Sequence, residues 1–208
     1  MLSRSGRPLA QILFGPFARF FVRMGVSANV MTVVGGLASA IAALVCFPLG
    51  WLIPGAIITT ILVIFDNLDG QMARMTNTSS KWGAFLDSTM DRISDGAIFA
   101  ALAMWGYFHA DHTVRAAVIS GALLSLVAGS VVPYARARAE GVGYSASVGL
   151  AERADRLIAA LVIVVLVGVG LPHIVMAVGL WLLGVFALIT VIQRMAYVYR
   201  QMKEAGDA

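Results

Sequence analysis

The sequence predicts an all-α integral membrane protein with six transmembrane helices, preceded by an N-terminal interfacial amphipathic helix. Three observations favour this fold class: the chain is very apolar, its apolar residues form six long stretches, and its basic residues flank those stretches on one side. Of the 208 residues, 60% are hydrophobic and 12% are charged, and the mean hydropathy is +0.86. Soluble domains are about 45–50% apolar and about 25% charged. The chain is therefore predicted to be a single membrane domain over residues 1–208.

Residues 1–25 are predicted to contain the interfacial helix. Arg19 and Arg23 lie four residues apart in a stretch that is otherwise rich in leucine, isoleucine and phenylalanine. A helix with one basic and one apolar face is typical of segments that lie in the membrane interface. The alternative, a cleaved signal peptide, would have an uninterrupted apolar region.

Residues 30–202 are predicted to form the six-helix bundle. Each apolar stretch has about the 20 residues needed to cross a ~30 Å hydrocarbon core. Glycine, proline or short polar runs separate the stretches, and no strand-like alternation competes with them. The predicted spans are 30–47, 52–73, 82–108, 114–138, 150–171 and 174–199.

The basic residues indicate the orientation of the bundle. When six spans are threaded alternately, almost all lysines and arginines fall on one side, and only Arg115 falls on the other. Because basic loops stay in the cytoplasm, both termini are expected to be cytoplasmic. In so apolar a chain, the net charge of +4 favours membrane lipids or a phosphorylated ligand over nucleic acid as the partner.

Four aspartates lie near the cytoplasmic ends of the second and third spans. Asp66 and Asp69 are three residues apart and Asp87 and Asp91 are four apart, so each pair projects from one helix face. A charged side chain near the centre of a membrane helix costs about 2.5–3.5 kcal/mol. Facing carboxylates would also repel each other, and hard divalent cations such as Mg²⁺ would compensate them. Four carboxylates favour two ions, which together could clamp a phosphoryl group.

The residues around these acids are informative as well. Asp95, a fifth acid, is expected to pair with Arg92, three residues earlier on the same helix. Gly70 and Gly83 would permit the close approach of a bulky ligand, although helix packing accounts equally well for either glycine alone. Arg74 lies one turn beyond Gly70, where its side chain could reach a phosphate.

The acids and their neighbours form one pattern of 26 residues: Asp66-x-x-Asp69-Gly70-x-x-Ala73-Arg74, eight residues, Gly83, three residues, Asp87, three residues and Asp91. At all eight fixed positions this pattern resembles the signature of the CDP-alcohol phosphatidyltransferases. The resemblance implies that Asp66, Asp69 and Asp87 bind metal. It implies that Asp91 ligates the second metal and acts as the general base that accepts a proton from the attacking hydroxyl. The expected cofactor is a pair of Mg²⁺ ions, with Mn²⁺ as an alternative.

The resemblance also implies the donor substrate, CDP-diacylglycerol, which loses CMP when a hydroxyl attacks its lipid-side phosphorus. The residues implied in donor binding belong to the start of the first span and to the signature region: Asn29, Val30, Met31, Thr32, Gly70, Arg74 and Ser80. For residues 29–32, an ordinary helix N-cap is the alternative interpretation.

Arginines from three predicted helices lie on the same side of the membrane as the acids. Because arginine binds phosphate through forked donors, their convergence favours a phosphorylated acceptor alcohol. We expect Arg136, Arg153 and Arg194 to bind the acceptor phosphate. The stretches 134–140 and 152–156 resemble those of the actinobacterial branch of the family, which makes phosphatidylinositol phosphate from 1D-myo-inositol 3-phosphate. The resemblance further implies a homodimer in a bacterial cell membrane.

Two alternative functions stay open on the sequence. The branch of the family that makes phosphatidylglycerophosphate would share every metal-binding residue. A cation- or proton-coupled transporter is the alternative from another class, because charged residues inside membranes also mark ion paths. The sequence has no internal repeat and its acids cluster near one surface, which favours an enzyme over a transporter.

Overall fold

The structure, a computed structural model, describes residues 7–66, 68–150 and 153–207, and it describes the side chains of these residues except those of residues 7–14 and 66. The described residues are almost entirely α-helical and include no strand, as predicted. They form the helices α1 (Arg7–Arg23), α2 (Ala28–Cys46), α3 (Leu52–Asp66), α4 (Leu68–Met75), α5 (Lys81–His109), α6 (Arg115–Gly141), α7 (Arg153–Gly168) and α8 (Ile174–Ala205).

Four stretches of the described chain are long and apolar enough to cross a membrane. They are α2, the stretch Leu52–Met75 that contains α3 and α4, α6 and α8. The first half of α5 carries several charged residues, and α7 has 16 residues, a length of about 24 Å. The predicted all-α class is therefore confirmed and four stretches are compatible with a membrane protein, whereas the count of six spans stays a prediction.

Close contacts between helices are made at glycines. On α2, a Cβ atom at Gly36 would lie 3.1 Å from the Cβ of Met90 on α5. On α8, a Cβ at Gly184 would lie 2.7 Å from the Cγ of Leu124 on α6. Water is absent from the bilayer core, so helices there associate through van der Waals packing, which small residues favour. The glycines therefore set how closely α2 approaches α5 and α8 approaches α6.

A helix occupies residues 7–23, where the interfacial helix was predicted. It packs against α2, α3 and α4 through the buried Ala18 and through Phe17 and Phe21, whose rings contact the ring of Phe65 edge-on at 5.7 and 6.5 Å. The same small cluster includes Leu68 of α4. The position of α1 in the membrane interface stays a prediction.

The C-terminal part of α8 holds the loop that follows α6. The Gln201 side-chain amide donates to the Ser145 carbonyl at 2.7 Å and accepts from the Ser145 N–H at 3.3 Å. The Tyr144 hydroxyl donates to the Asp207 carboxylate, and this hydrogen bond raises the pKa of the Tyr144 phenol. The helix α8 thereby positions a loop whose Val148 carbonyl contacts Arg194, one of the predicted acceptor ligands.

Candidate active site

The candidate active site is a cavity of about 190 Å³ between α2, α4 and the start of α5. Seven of the residues predicted to bind metal or donor line it: Asn29, Thr32, Asp69, Gly70, Arg74, Ser80 and Asp87. Val30 and Met31 are not among its described lining residues, since Val30 is half exposed and Met31 is buried in the cluster beside α1. The cavity therefore unites the acidic pattern with the start of α2.

Two helices begin at this cavity, and a serine caps each of them. Ser27 Oγ accepts from the Val30 N–H at 3.3 Å at the start of α2, and Ser80 Oγ accepts from the Gly83 N–H at 3.0 Å at the start of α5. The N-cap of α2 is thus Ser27, two residues before Asn29. Helix N-termini present backbone N–H groups and a positive dipole end, both of which favour anions.

Asp69 is held in place by two donors. Its side chain is nearly buried, at 9% exposure, and its carboxylate accepts from the Thr32 hydroxyl and from the Gly70 backbone N–H. A buried carboxylate needs such partners because its desolvation is costly. The sequence predicted that Thr32 binds CDP-diacylglycerol. No sequence signal indicated its hydrogen bond to an aspartate 37 residues away.

The other acids of the pattern follow along α5. Asp87 lines the cavity and lies within electrostatic range of both Asp69 and Asp91. Asp91 forms ion pairs with Arg153, at 2.8 Å between Nη1 and Oδ1, and with Arg92, at 3.6 Å between Nη2 and Oδ2. The acids thus form a row that runs from the cavity towards α7.

The side chain of the fourth predicted ligand, Asp66, lies outside the described residues. Among the side chains that are described, no three of histidine, cysteine, aspartate and glutamate are grouped closely enough to hold an ion. The oxygen atoms available as ligands still fit a hard divalent cation. Asp69 and Asp87 line the cavity, and none of its described lining residues is a histidine or cysteine.

Arg74 folds back over Gly70 at the rim of the cavity. A Cβ atom at Gly70 would lie 3.5 Å from Arg74 Nη1, so the guanidinium covers the exposed backbone of that glycine. Both residues line the cavity together with the acids. The cavity therefore combines two carboxylates with a cation and the N-termini of two helices.

The three arginines predicted to bind the acceptor phosphate make different contacts. Arg153 pairs with Asp91, as described above. Arg194 donates from Nε to the Val148 carbonyl at 2.9 Å and from Nη1 to the Val132 carbonyl. Arg136 pairs with Glu140 at 2.9 Å on the exposed end of α6 and lies close enough to Arg194 to interact with it electrostatically. Two of the predicted ligands are thus neighbours, and the third adjoins the acids.

The predicted pairing of Asp95 with Arg92 is wrong. Asp95 instead accepts from two arginines of α7, from Arg153 Nε at 3.0 Å and from Arg156 Nη2 at 2.9 Å, while Arg92 reaches Asp91. The physical reason is the packing of α7 against α5: Asp95 is only 5% exposed, and the two arginines of α7 occupy both of its oxygens in the interior.

Comparisons with known proteins identify the family of the chain. The family model described as CDP-alcohol phosphatidyltransferase matches residues 25–183. The chain is 40% identical over 214 residues to the phosphatidylinositol phosphate synthase of Streptomyces avermitilis, covering 100% of this chain and 86% of that protein. It is 41% identical over 191 residues to the protein of the same name from Mycobacterium tuberculosis, covering 88% and 84%.

Solved structures are similar too. The crystal structure of the M. tuberculosis phosphatidylinositol phosphate synthase in complex with manganese and citrate matches with a TM-score of 0.83 at 40% identity, covering 88% of each chain. The structure of the same enzyme with CDP-DAG bound matches with a TM-score of 0.81 at 40% identity, covering 88% of this chain and 92% of that one. The chain therefore belongs to the CDP-alcohol phosphatidyltransferase family.

Proposed function

We propose that the protein is a phosphatidylinositol phosphate synthase, which transfers the phosphatidyl group from CDP-diacylglycerol to 1D-myo-inositol 3-phosphate and releases CMP. The observation that carries this proposal is the cavity that Asp69 and Asp87 line together with Gly70, Arg74 and two helix N-termini. Relatives that are about 40% identical to the chain are named phosphatidylinositol phosphate synthase. Their name supports inositol phosphate as the acceptor over the acceptor of an enzyme that makes phosphatidylglycerophosphate.

The proposed setting is a bacterial cell membrane. All six predicted spans cross it, α1 lies in the cytoplasmic interface, and residues 1–208 form one membrane domain that pairs with a second copy as a homodimer. The length of α5, 29 residues or about 43 Å, supports its crossing despite its charges, since these lie in its first half. The bias of lysine and arginine towards one side supports cytoplasmic termini and a cytoplasmic active site.

The proposed cofactor is a pair of Mg²⁺ ions, with Mn²⁺ as an alternative. Asp66, Asp69, Asp87 and Asp91 would hold them, and the manganese in the complex of the M. tuberculosis enzyme supports a divalent cation. Such ions neutralise the charge of a diphosphate and of the phosphoryl group in transfer. The Thr32 hydroxyl and the Gly70 N–H orient the Asp69 carboxylate for this task.

Arg74 and the two helix starts at the cavity bind CDP-diacylglycerol. Arg74 and the backbone at Gly70 contact the diphosphate, while Asn29 and Ser80 lie at the two helix starts where the nucleotide side would sit. The CDP-DAG in the structure of the M. tuberculosis enzyme supports this donor. A site at one surface of the bundle lets the acyl chains stay in the bilayer and the nucleotide stay in water.

Asp91 serves as the general base. The inositol hydroxyl oxygen attacks the lipid-side phosphorus as Asp91 accepts the hydroxyl proton, the bond from that phosphorus to the bridging oxygen breaks, and CMP leaves with the electron pair. Each carboxylate oxygen has two lone pairs, so Asp91 Oδ1 can accept this proton beside its contact with Arg153. Arg136, Arg153 and Arg194 bind the acceptor phosphate.

The test is a panel of acceptors given to the purified protein with CDP-diacylglycerol and Mg²⁺. We expect CMP release with inositol 3-phosphate and none with free inositol, because the arginines bind the phosphate. CMP release with glycerol 3-phosphate and not with inositol 3-phosphate would overturn the proposed acceptor.

A further inference from the structure

A buried group of charges lies one helical turn beyond Asp91 on α5, where α5, α6 and α7 meet. Its centre is Asp95, whose two oxygens are taken by Arg153 and Arg156 of α7. Buried charges contribute little net stability, because their desolvation offsets their attraction, and apolar residues of similar volume often serve as well. The group therefore calls for an explanation other than stability.

Arg156 anchors the group to the rest of the bundle. It is 3% exposed, donates from Nη1 to the Gly129 carbonyl of α6 at 3.3 Å, and lies over the ring of Phe99 on α5 at 5.9 Å. Its guanidinium fits closely against α6, since a Cβ atom at Gly129 would lie 2.9 Å from Arg156 Cζ. Arg156 thus fixes the oxygen of Asp95 that it contacts, and its burial keeps it away from any substrate.

Arg153 extends from this anchor towards the candidate base. Its Nε donates to Asp95 at 3.0 Å, its Nη2 donates to Ser94 Oγ at 3.4 Å, and its Nη1 contacts Asp91 at 2.8 Å. The guanidinium is planar and rigid, so a hydrogen bond at Nε fixes the direction of both terminal nitrogens. Asp95 therefore determines how Arg153 is presented to Asp91.

We propose that Asp95 and Arg156 are positioning residues that hold the Arg153 guanidinium beside Asp91, so that the acceptor phosphate is bound at a fixed distance from the base that deprotonates the acceptor hydroxyl. This proposal rests on the proposed function, in which Arg153 binds the acceptor phosphate. Neither Asp95 nor Arg156 touches the substrate. Both act through Arg153 and affect acceptor binding rather than donor binding.

The first test is Asp95→Asn, which keeps the volume of the side chain and removes the charge that pairs with Arg153 and Arg156. We expect the KM for inositol 3-phosphate to rise about 10- to 100-fold, the range that misplacement of a supporting group produces. The KM for CDP-diacylglycerol stays within about twofold of wild type. An unchanged KM for inositol 3-phosphate, or an equal rise for both substrates, would overturn the proposal.

A double-mutant cycle shows whether Asp95 acts through Arg153. If it does, the variant that combines Asp95→Asn with Arg153→Ala has the same KM for inositol 3-phosphate as Arg153→Ala alone. Effects that multiply in the double variant would mean that Asp95 acts by another route, and would contradict the proposal.

Gly129→Ala tests the anchor without removing a charge and covers the case in which Asp95→Asn does not fold. Its added methyl displaces the Arg156 guanidinium, and we expect a selective rise in the KM for inositol 3-phosphate. The matched control is Gly106→Ala on α5, whose Cβ would meet Val118 Cγ1 at 2.7 Å and which lies about 16 Å along the helix from Asp95. Equal effects of both variants on this KM would overturn the proposal.

The wild-type enzyme separates the two levels of inference. If it releases no CMP with inositol 3-phosphate, the proposed function fails. If the wild-type enzyme releases CMP with inositol 3-phosphate but Asp95→Asn and Gly129→Ala keep its KM, the positioning role fails while the proposed function stands.

Discussion

The hydroxyl of Thr32 offers the sharpest test of how the candidate metal site is assembled. Thr32 is buried on α2 and donates to the carboxylate of Asp69 on α4. Thr32→Val keeps the shape of the side chain and removes the donor, so Asp69 retains only the Gly70 N–H on its other oxygen. The carboxylate would then be free to rotate away from the position in which it ligates metal.

The size of the effect follows from the charge of the acceptor. Hydrogen bonds to charged groups contribute about 1.5–3 kcal/mol, and each 1.4 kcal/mol is a factor of ten in an equilibrium constant. We therefore expect Thr32→Val to raise the concentration of Mn²⁺ or Mg²⁺ needed for half-maximal activity by about 10- to 100-fold. Thr32→Ser keeps the hydroxyl and stays within about threefold of wild type.

The assay is CMP release from CDP-diacylglycerol at saturating acceptor, titrated with Mn²⁺. The matched control is Thr59→Val, since Thr59 is also a buried threonine but its hydroxyl has no hydrogen-bond partner among the described residues. That control keeps the wild-type metal dependence and unfolds at the same or a higher temperature. A Thr32→Val enzyme with the wild-type metal dependence would show that the Thr32 hydroxyl does not hold Asp69 in position for metal.

Three further predictions concern the base, the donor site and the helix packing. Asp91→Asn lowers kcat by about 10²- to 10⁴-fold and leaves the binding of CDP-diacylglycerol within a few-fold of wild type in a filter assay; unchanged turnover would refute the base. Arg74→Ala raises the KM for CDP-diacylglycerol about tenfold or more, because it removes a cation that lines the cavity. The control Lys81→Ala removes a nearby cation outside the described lining and leaves this KM unchanged. Equal effects of the two variants would contradict the role of Arg74 in donor binding. Gly36→Ala places a methyl 3.1 Å from Met90 Cβ and lowers the free energy of unfolding by about 1–3 kcal/mol. The control Gly96→Ala does not lower it, because a Cβ there would meet no atom within 4 Å. Thermal unfolding in detergent measures both variants, and equal stabilities would contradict the role of Gly36 in packing.

Most of the fold could be predicted from the sequence because apolar length alone marks a membrane helix. The predicted span 82–108 corresponds to α5, Lys81–His109, and the span 114–138 corresponds to α6, Arg115–Gly141. The predicted last span ended at residue 199, whereas α8 continues to Ala205. Hydropathy could not indicate this extension, because most of its residues are polar or charged, and contacts such as that of Gln201 with Ser145 hold it in place.

Within the site, the neighbouring acids were predictable because a short loop joins α4 to α5. The run 29–32 was predicted as one contact surface, but successive residues of a helix point about 100° apart, so only Asn29 and Thr32 line the cavity. The bonds of Thr32 to Asp69 and of Arg156 to Asp95 join residues 37 and 61 positions apart. Such pairs depend on the register between helices, which local sequence patterns do not encode.

Anomalous scattering from crystals grown with Mn²⁺ and CDP-diacylglycerol would locate the metal ions directly. We expect two manganese peaks among Asp66, Asp69, Asp87 and Asp91, in contact with the donor diphosphate beside Arg74. Manganese bound elsewhere, or these carboxylates directed to separate protein partners with no ion between them, would contradict the proposed metal site.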